Sequence, residues 1–280
     1  MGALVTTASA IGGVGLVCAV ALALAARFLG VEEDQRIEEV VDLLPGANCG
    51  GCGFAGCADY AKAMVIEGAA INLCAPCGAE TLQALSELLG RKAEATEKEV
   101  AIVLCGGNAT SAPRRSAYNG VADCAAAHAV GGGDKVCQYG CLGYGSCARV
   151  CPSGAIELVD GLATVHPDLC IGCGACVRTC PRHLIKMVPA TRVVHVLCSS
   201  RAKGPVVKKA CTVGCIGCSI CTKLAEDNAI RMEGPLAVVD YSKQFDHPEI
   251  AEKCPGHCIV RHQTPNTEHR ASLKEPAGTS

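Results

Sequence analysis

The chain contains no tryptophan, three phenylalanines and five tyrosines, so aromatic residues make up 3% of it. That excludes a core built on large rings. Charge of either sign is not in excess: 25 Lys and Arg stand against 27 Asp and Glu, a net charge of −2. There is therefore no basic footprint for nucleic acid. A dinucleotide fingerprint is also missing in its proper context. Gly51, Gly53 and Gly56 spell G-x-G-x-x-G, but no strand precedes them and a cysteine sits inside. What the chain does hold is cysteine, 23 in 280 residues. A secreted, disulfide-stapled chain of that density is usually much shorter. C-x2-C runs point instead to reduced thiolates and metal.

The cysteines are densest over residues 137–180. Cys170, Cys173, Cys176 and Cys180 stand at C-x2-C-x2-C-x3-C and Pro181 follows, the bacterial ferredoxin pattern for [4Fe–4S] clusters. In that pattern the fourth cysteine reaches across to the other cluster. The upstream run, Cys137, Cys141, Cys147 and Cys151 before Pro152, is the same arrangement with wider gaps. Crossing the fourths gives two expected sets: Cys137, Cys141 and Cys147 with Cys180, and Cys170, Cys173 and Cys176 with Cys151. Zinc ribbons are the competing reading, but they take ligands in two pairs, often with His.

Residues 3–26 carry no charge, long enough for a bilayer span. A secretory leader carries a positive n-region, and nothing charged precedes this run, so an uncleaved transmembrane anchor is expected. Arg27 and Arg36 follow it, a positive-inside cue that puts the body in the cytoplasm. A helix is expected from Glu32 to Leu44, ended by Pro45. Cys49, Cys52 and Cys57 then stand at C-x2-C-x4-C, with Cys74 after them. These four suit one [4Fe–4S] cluster, glycines between them letting backbone approach sulfur. Cys77 competes with Cys74 as fourth ligand. The segment between Cys57 and Cys74 reads as a helix with Tyr60, Met64 and Val65 on one side, and 79–91 as another ending at Gly90. Residues 91–123 read as a linker with a short apolar strand, Val100 to Leu104.

Shifted by 74 residues, the second half falls on the first without gaps. Cys124 falls on Cys198, Cys137 on Cys211, Cys141 on Cys215, Cys147 on Cys221, Cys180-Pro181 on Cys254-Pro255 and His183 on His257. This is a duplicated two-cluster module, each copy with a hairpin between its cysteine runs; Asp160-Gly161 is an apt tight turn for the first. In the second copy Cys151 becomes Ala225, Cys170 Gln244, Cys173 His247 and Cys176 Ile250. Those four are one whole ligand set, so the second copy is expected to bind a single cluster. Ferredoxin spacing favours Cys215, Cys218, Cys221 and Cys254 for it; the repeat alignment offers Cys211 in place of Cys218. The expected total is four clusters, with Cys18, Cys77, Cys105, Cys124, Cys198, Cys211 and Cys258 left over.

The expected fold is α+β, in small iron–sulfur modules. An N-terminal transmembrane helix (1–30) leads to a helical four-cysteine domain (31–90). A linker (91–123) precedes tandem bacterial-ferredoxin-like domains of βαβ type (124–190 and 191–261), and a polar, disordered tail (262–280) closes the chain. This order, with L-P-G-A-N-C-G-G-C-G-F-A-G-C, Y-G-C-L-G and V-G-C-I-G-C, resembles the long form of the B-subunit family of Rnf ion-translocating ferredoxin:NAD+ oxidoreductases. The resemblance covers nearly the whole chain to about residue 260. It implies a single-pass subunit of the inner (cytoplasmic) membrane that takes electrons from soluble ferredoxin. NAD+ reduction and Na+ or H+ movement are then left to partner subunits, and the chain needs no catalytic residues of its own. Longer relatives usually fill the second copy's second cysteine run, and this sequence departs from them there.

Overall fold

The computed structural model describes residues 2–29, 34–92, 97–243, 245, 247 and 249–261. Gln244 and the expected tail 262–280 lie outside them. Helix α1 spans Gly2–Leu29. Its side chains are described at Gly2, residues 12–25 and Arg27, and Val14, Leu16, Val17, Val20, Leu22 and Leu24 are all exposed. Among the described residues no helix is long and apolar enough to cross a membrane.

Helix α2, Gln35–Leu43, starts where the Asp34 carboxylate accepts the Arg36 amide, satisfying a free first-turn N–H. Ile37, Val40 and Leu44 bury against Tyr60, Met64 and Leu85. The single helix expected after Cys57 is divided. Helix α3, Cys57–Lys62, passes into a π turn over Ala63–Glu67 that Gly68 closes at φ 73°. The Arg91 guanidinium serves the carbonyls released there, donating to Met64 O, Gly68 O and Ala69 O. Helix α4, Ala79–Leu89, ends as expected at Gly90, in the left-handed region at φ 62°.

The rest is two copies of one plan. The first contains β1 (Glu99–Val103), α5 (Cys124–Ala129), α6 (Ser146–Arg149), β2 (Ile156–Val159), β3 (Leu162–Val165), α7 (Ala175–Thr179) and β4 (Ile185–Pro189). The second contains β5 (Val194–Val196), α8 (Gly204–Ala210), α9 (Ile220–Leu224), β6 (Ile230–Glu233), β7 (Leu236–Val239), α10 (Glu249–Glu252) and β8 (Ile259–Arg261). The hairpins β2–β3 and β6–β7 pair Ile156 with Val165 and Ile230 with Val239, in the register the 74-residue repeat predicts. Asp160 and Gly161 turn the first at φ 47° and 70°, the left-handed pair that matches strand twist.

Two expectations need correction. Residues 91–123 are not a plain linker: β1 pairs with β4, Val103 opposite Ile185 and Glu99 opposite Pro189. Four of its five residues are buried, so this strand is a wall of the first copy. The βαβ label also fails in the described residues, because all four strand pairs are antiparallel, whereas a βαβ unit joins parallel strands. Each copy folds back through its cluster loops, so that its first and last strands meet head to tail. One apolar core runs through both copies, and cysteines supply much of it. In the second copy Ile250 and Phe245 are buried where the first copy has its Cys176 loop.

Candidate metal centres

Among the described residues, no group of three or more His, Cys, Asp or Glu side chains closes tightly enough on one point to hold a single metal ion. The cysteines instead line clefts in sets, and backbone amides point at their sulfurs. That donor chemistry is what a thiolate-held cluster takes, its potential set partly by hydrogen bonds to sulfur.

In the first module Asn48 holds a left-handed φ of 44° and its side-chain oxygen accepts the Cys57 amide at 2.8 Å, drawing the two ends of the C-x2-C-x4-C loop together. Tyr60 is buried beneath it. Its hydroxyl donates to Ala70 O at 2.6 Å and accepts from Leu73 N at 3.2 Å, which fixes the strap carrying Cys74. Cys74 is buried and Cys77 half-buried. The Cys77 thiol donates to Cys74, bringing Cys74 down to about 7 and pushing its own pKa up. Cys52 and Cys57 lie close enough to act on Cys77 as well, so the strap delivers both candidates to one place.

Cys176 is pushed up to about 11 by burial, then by the neighbouring Cys170, Cys173 and Cys151. The expected crossed set is thus brought together. Amides of Ala101 and Ala155 donate to the sulfurs of Cys170 and Cys151 at 3.4 and 3.3 Å. The other crossed set is altered. Cys141, Cys147 and Cys180 line one cleft, and the fourth cysteine there is Cys124. Burial raises Cys147 to about 12, with Cys141, Cys124 and Cys180 adding to it. Cys137, expected in this set, lines a different cleft. In the second copy Cys215, Cys218, Cys221 and Cys254 share a cleft with Cys258; Cys211 lies elsewhere. Cys258 Sγ lies 3.8 Å from Cys254 Sγ and also pairs with Cys215, and this sulfur hydrogen bonding lowers Cys215 to about 6 and Cys254 to about 5. His247 is not among these sulfurs: it stands 4.0 Å from Glu226 and 3.9 Å from Glu249 in a partly exposed loop.

The sets also lie near one another. Cys49 of the first module lies close enough to Cys173 to raise its pKa, after burial, and a Cβ on Gly51 would stand 2.8 Å from the Cys173 carbonyl oxygen. Cys176 in turn acts on Cys147. Gly51→Val is expected to weaken the packing of the first module on the ferredoxin-like body by about 1–3 kcal/mol. Amide exchange across residues 49–57 checks this, and unaltered protection there would show that the contact is slack.

Residues 44–76 match a family model described as an Fe-S cluster, and residues 163–186 match the 4Fe-4S binding domain. Over 260 residues the chain is 41% identical to the B subunit of the Na(+)-translocating ferredoxin:NAD(+) oxidoreductase complex of Acetobacterium woodii, covering 92% of this chain and 78% of that one. The chain belongs to the Rnf B-subunit family. The B subunit of the ion-translocating oxidoreductase complex of Methanosarcina acetivorans is 42% identical over 241 residues, 86% of this chain and 91% of its own. The B subunit of the proton-translocating ferredoxin:NAD(+) oxidoreductase complex of Clostridium ljungdahlii is 40% identical over 271 residues, 95% of each. An Rnf B subunit carries electrons within its complex, and the iron–sulfur modules described above are the means.

Sequence reasoning missed Cys124. Its amide donates to Ser146 Oγ at 2.8 Å, and the same hydroxyl donates to Asp123 at 2.7 Å, which pins α5 against α6 at the cleft that Cys124 shares with Cys147. A gapless repeat pairs Cys124 with Cys198 and so hides that role.

Proposed function

We propose that this chain takes low-potential electrons from a soluble ferredoxin and relays them through at least four [4Fe–4S] clusters. Partner Rnf subunits then reduce NAD+ and move Na+ or H+. The observation that carries this reading is the nearness of successive cysteine sets: Gly51, between Cys49 and Cys52, packs on the Cys173 carbonyl, and Cys176 lies near enough to Cys147 to act on its thiol. Residues that would hold the clusters are Cys49, Cys52, Cys57 and Cys74; Cys151, Cys170, Cys173 and Cys176; Cys141, Cys147 and Cys180 with Cys124 or Cys137; and Cys215, Cys218, Cys221 and Cys254. Bound cubanes pass one electron at a time. The protein's part is to hold these sets adjacent, aim amides at sulfur, and bring cations nearby. The Arg182 guanidinium does the last, standing among Cys137, Cys141, Cys105 and Cys180.

Helix α1 is proposed as the anchor, because its described apolar side chains are all exposed and a helix apolar all round needs a non-aqueous surrounding. Its C-terminal Arg27 supports the cytoplasmic side of the inner membrane for the cluster-bearing body. At the other end Cys218 is exposed and Lys253 shares its cleft, a place for an acidic donor to approach. The test is iron, acid-labile sulfide and zinc per chain, in protein purified without oxygen. At least about 16 iron with equal sulfide is expected for four cubanes. Zinc in place of iron overturns the reading.

A further inference from the structure

We propose that Cys105, Cys137, Cys198 and Cys211 hold a further [4Fe–4S] cluster at the junction of the two ferredoxin-like copies. This rests on the electron-transfer reading above and adds a site to it. The four cysteines line one cleft of about 230 Å³ between the copies. Two come from each copy, in matching places. Cys137 and Cys211 correspond through the 74-residue repeat. Cys105 and Cys198 correspond through the strands, each standing two residues beyond the strand that pairs with the last strand of its copy.

The surroundings match as well. A Cβ on Gly140 would lie 3.5 Å from Cys137 Sγ and 3.7 Å from Cys105 Sγ; one on Gly214, its repeat partner, would lie 4.0 Å from Cys198 Sγ and 3.9 Å from Cys211 Cβ. One on Gly107 would lie 3.4 Å from Cys211 Sγ and 3.7 Å from Cys105 Sγ, so a cysteine of each copy faces the same point. Amides are aimed at these sulfurs: Gly107 N and Cys141 N donate to Cys105 Sγ at 3.4 and 3.2 Å, and Ser200 N to Cys198 Sγ at 3.5 Å.

Charge supports an anionic occupant. Lys135 is 1% exposed, and its ammonium donates to Gly107 O at 2.8 Å and Gly161 O at 3.4 Å. No carboxylate among the described residues answers it, and a buried cation without a counter-charge is costly. Four thiolates around a cubane supply net negative charge beside it. The location completes the succession of sites. Cys105 accepts the amide of Cys141, a ligand of the first copy, and Cys198 lies against Cys215, a ligand of the second.

Neither Cys105 nor Cys198 belongs to any other set, so C105S/C198S isolates this one. Full-length wild type purified without oxygen is expected to carry about 20 iron and 20 sulfide, and C105S/C198S about 16 of each. Reductive titration should fall by one electron per chain, and one signal should leave the low-temperature EPR spectrum of the reduced protein. Wild type at about 16 iron, with the variant unchanged, overturns the fifth site and leaves the relay standing. So does a variant that keeps about 20, or about one zinc per chain lost with these cysteines. Iron-free protein overturns both readings. Should the variant fail to fold, the wild-type count decides.

Discussion

Removal of iron and sulfide is expected to unfold the body between residues 97 and 261. The strands there are short, three to five residues each, and form four separate two-stranded pairs. Such pairs are marginal alone. The core joining them includes Cys105, Cys147, Cys170, Cys176, Cys215 and Cys221 among its buried members. A structural metal site contributes roughly 10 kcal/mol of folding free energy, against a whole-domain stability of about 5–15 kcal/mol. Loss of even one cluster is therefore comparable with everything else that holds a copy together. Burial raises the thiols of Cys147 and Cys176 to about 12 and about 11, so the empty chain keeps them protonated and loses the thiolate–metal bonds with nothing of like strength in return. Far-UV circular dichroism during chelation without oxygen would show collapse of the strand signal together with cluster absorbance. Retention of a cooperative melt within a few degrees of the loaded protein would contradict it.

Asp134→Ala is expected to cost about 1.5–3 kcal/mol, because the carboxylate's hydrogen bonds to Arg114 and Tyr144 are lost while the Arg114 guanidinium, 38% exposed, turns to water. Asp134 is 3% exposed. Its carboxylate accepts from the Arg114 guanidinium and, at 2.7 Å, from the Tyr144 hydroxyl. Arg114 also lies 5.1 Å from the centre of the Tyr144 ring. The network ties the loop after β1, the 131–136 loop and the loop between Cys141 and Cys147 into one unit. Its loss should loosen the cleft beside Lys135 as well as lower the melting temperature. Chemical denaturation measures the stability cost, and a change below about 1 kcal/mol, the value of a surface pair, would show that the network is dispensable.

Much of this architecture was legible in the sequence, and the unread parts share a cause. The hairpins followed from the repeat and from Asp160-Gly161, because a left-handed turn leaves a strong local mark. The set around Cys176 followed from spacing, because ferredoxin ligands three residues apart lie on one loop. What spacing does not register is a ligand delivered by a distant strand. Val103-Leu104-Cys105 and Val196-Leu197-Cys198 are the same tripeptide, yet they are offset by more than the repeat because the first copy carries a longer loop before Cys137. A gapless comparison passes over them. For the same reason β1 was read as part of a linker: its partner β4 is eighty-odd positions away, and pairing at that range leaves no local pattern. The π turn at Ala63 was also hidden, since its composition is that of an ordinary helix and the Arg91 guanidinium that serves its carbonyls lies more than twenty residues on.

The burial of Ile250 and Phe245 where a cluster would otherwise sit has a consequence for traffic. In the proposed relay that place is filled, so the second copy would offer no side branch, and the cluster sites would form a series circuit with one terminal near α2 and the other at exposed Cys218. In a series circuit the slowest hop sets the throughput, and a single poisoned site stops the current. The subunit gives up one unit of storage and cannot bypass a fault, but an electron entering at one terminal has a single exit.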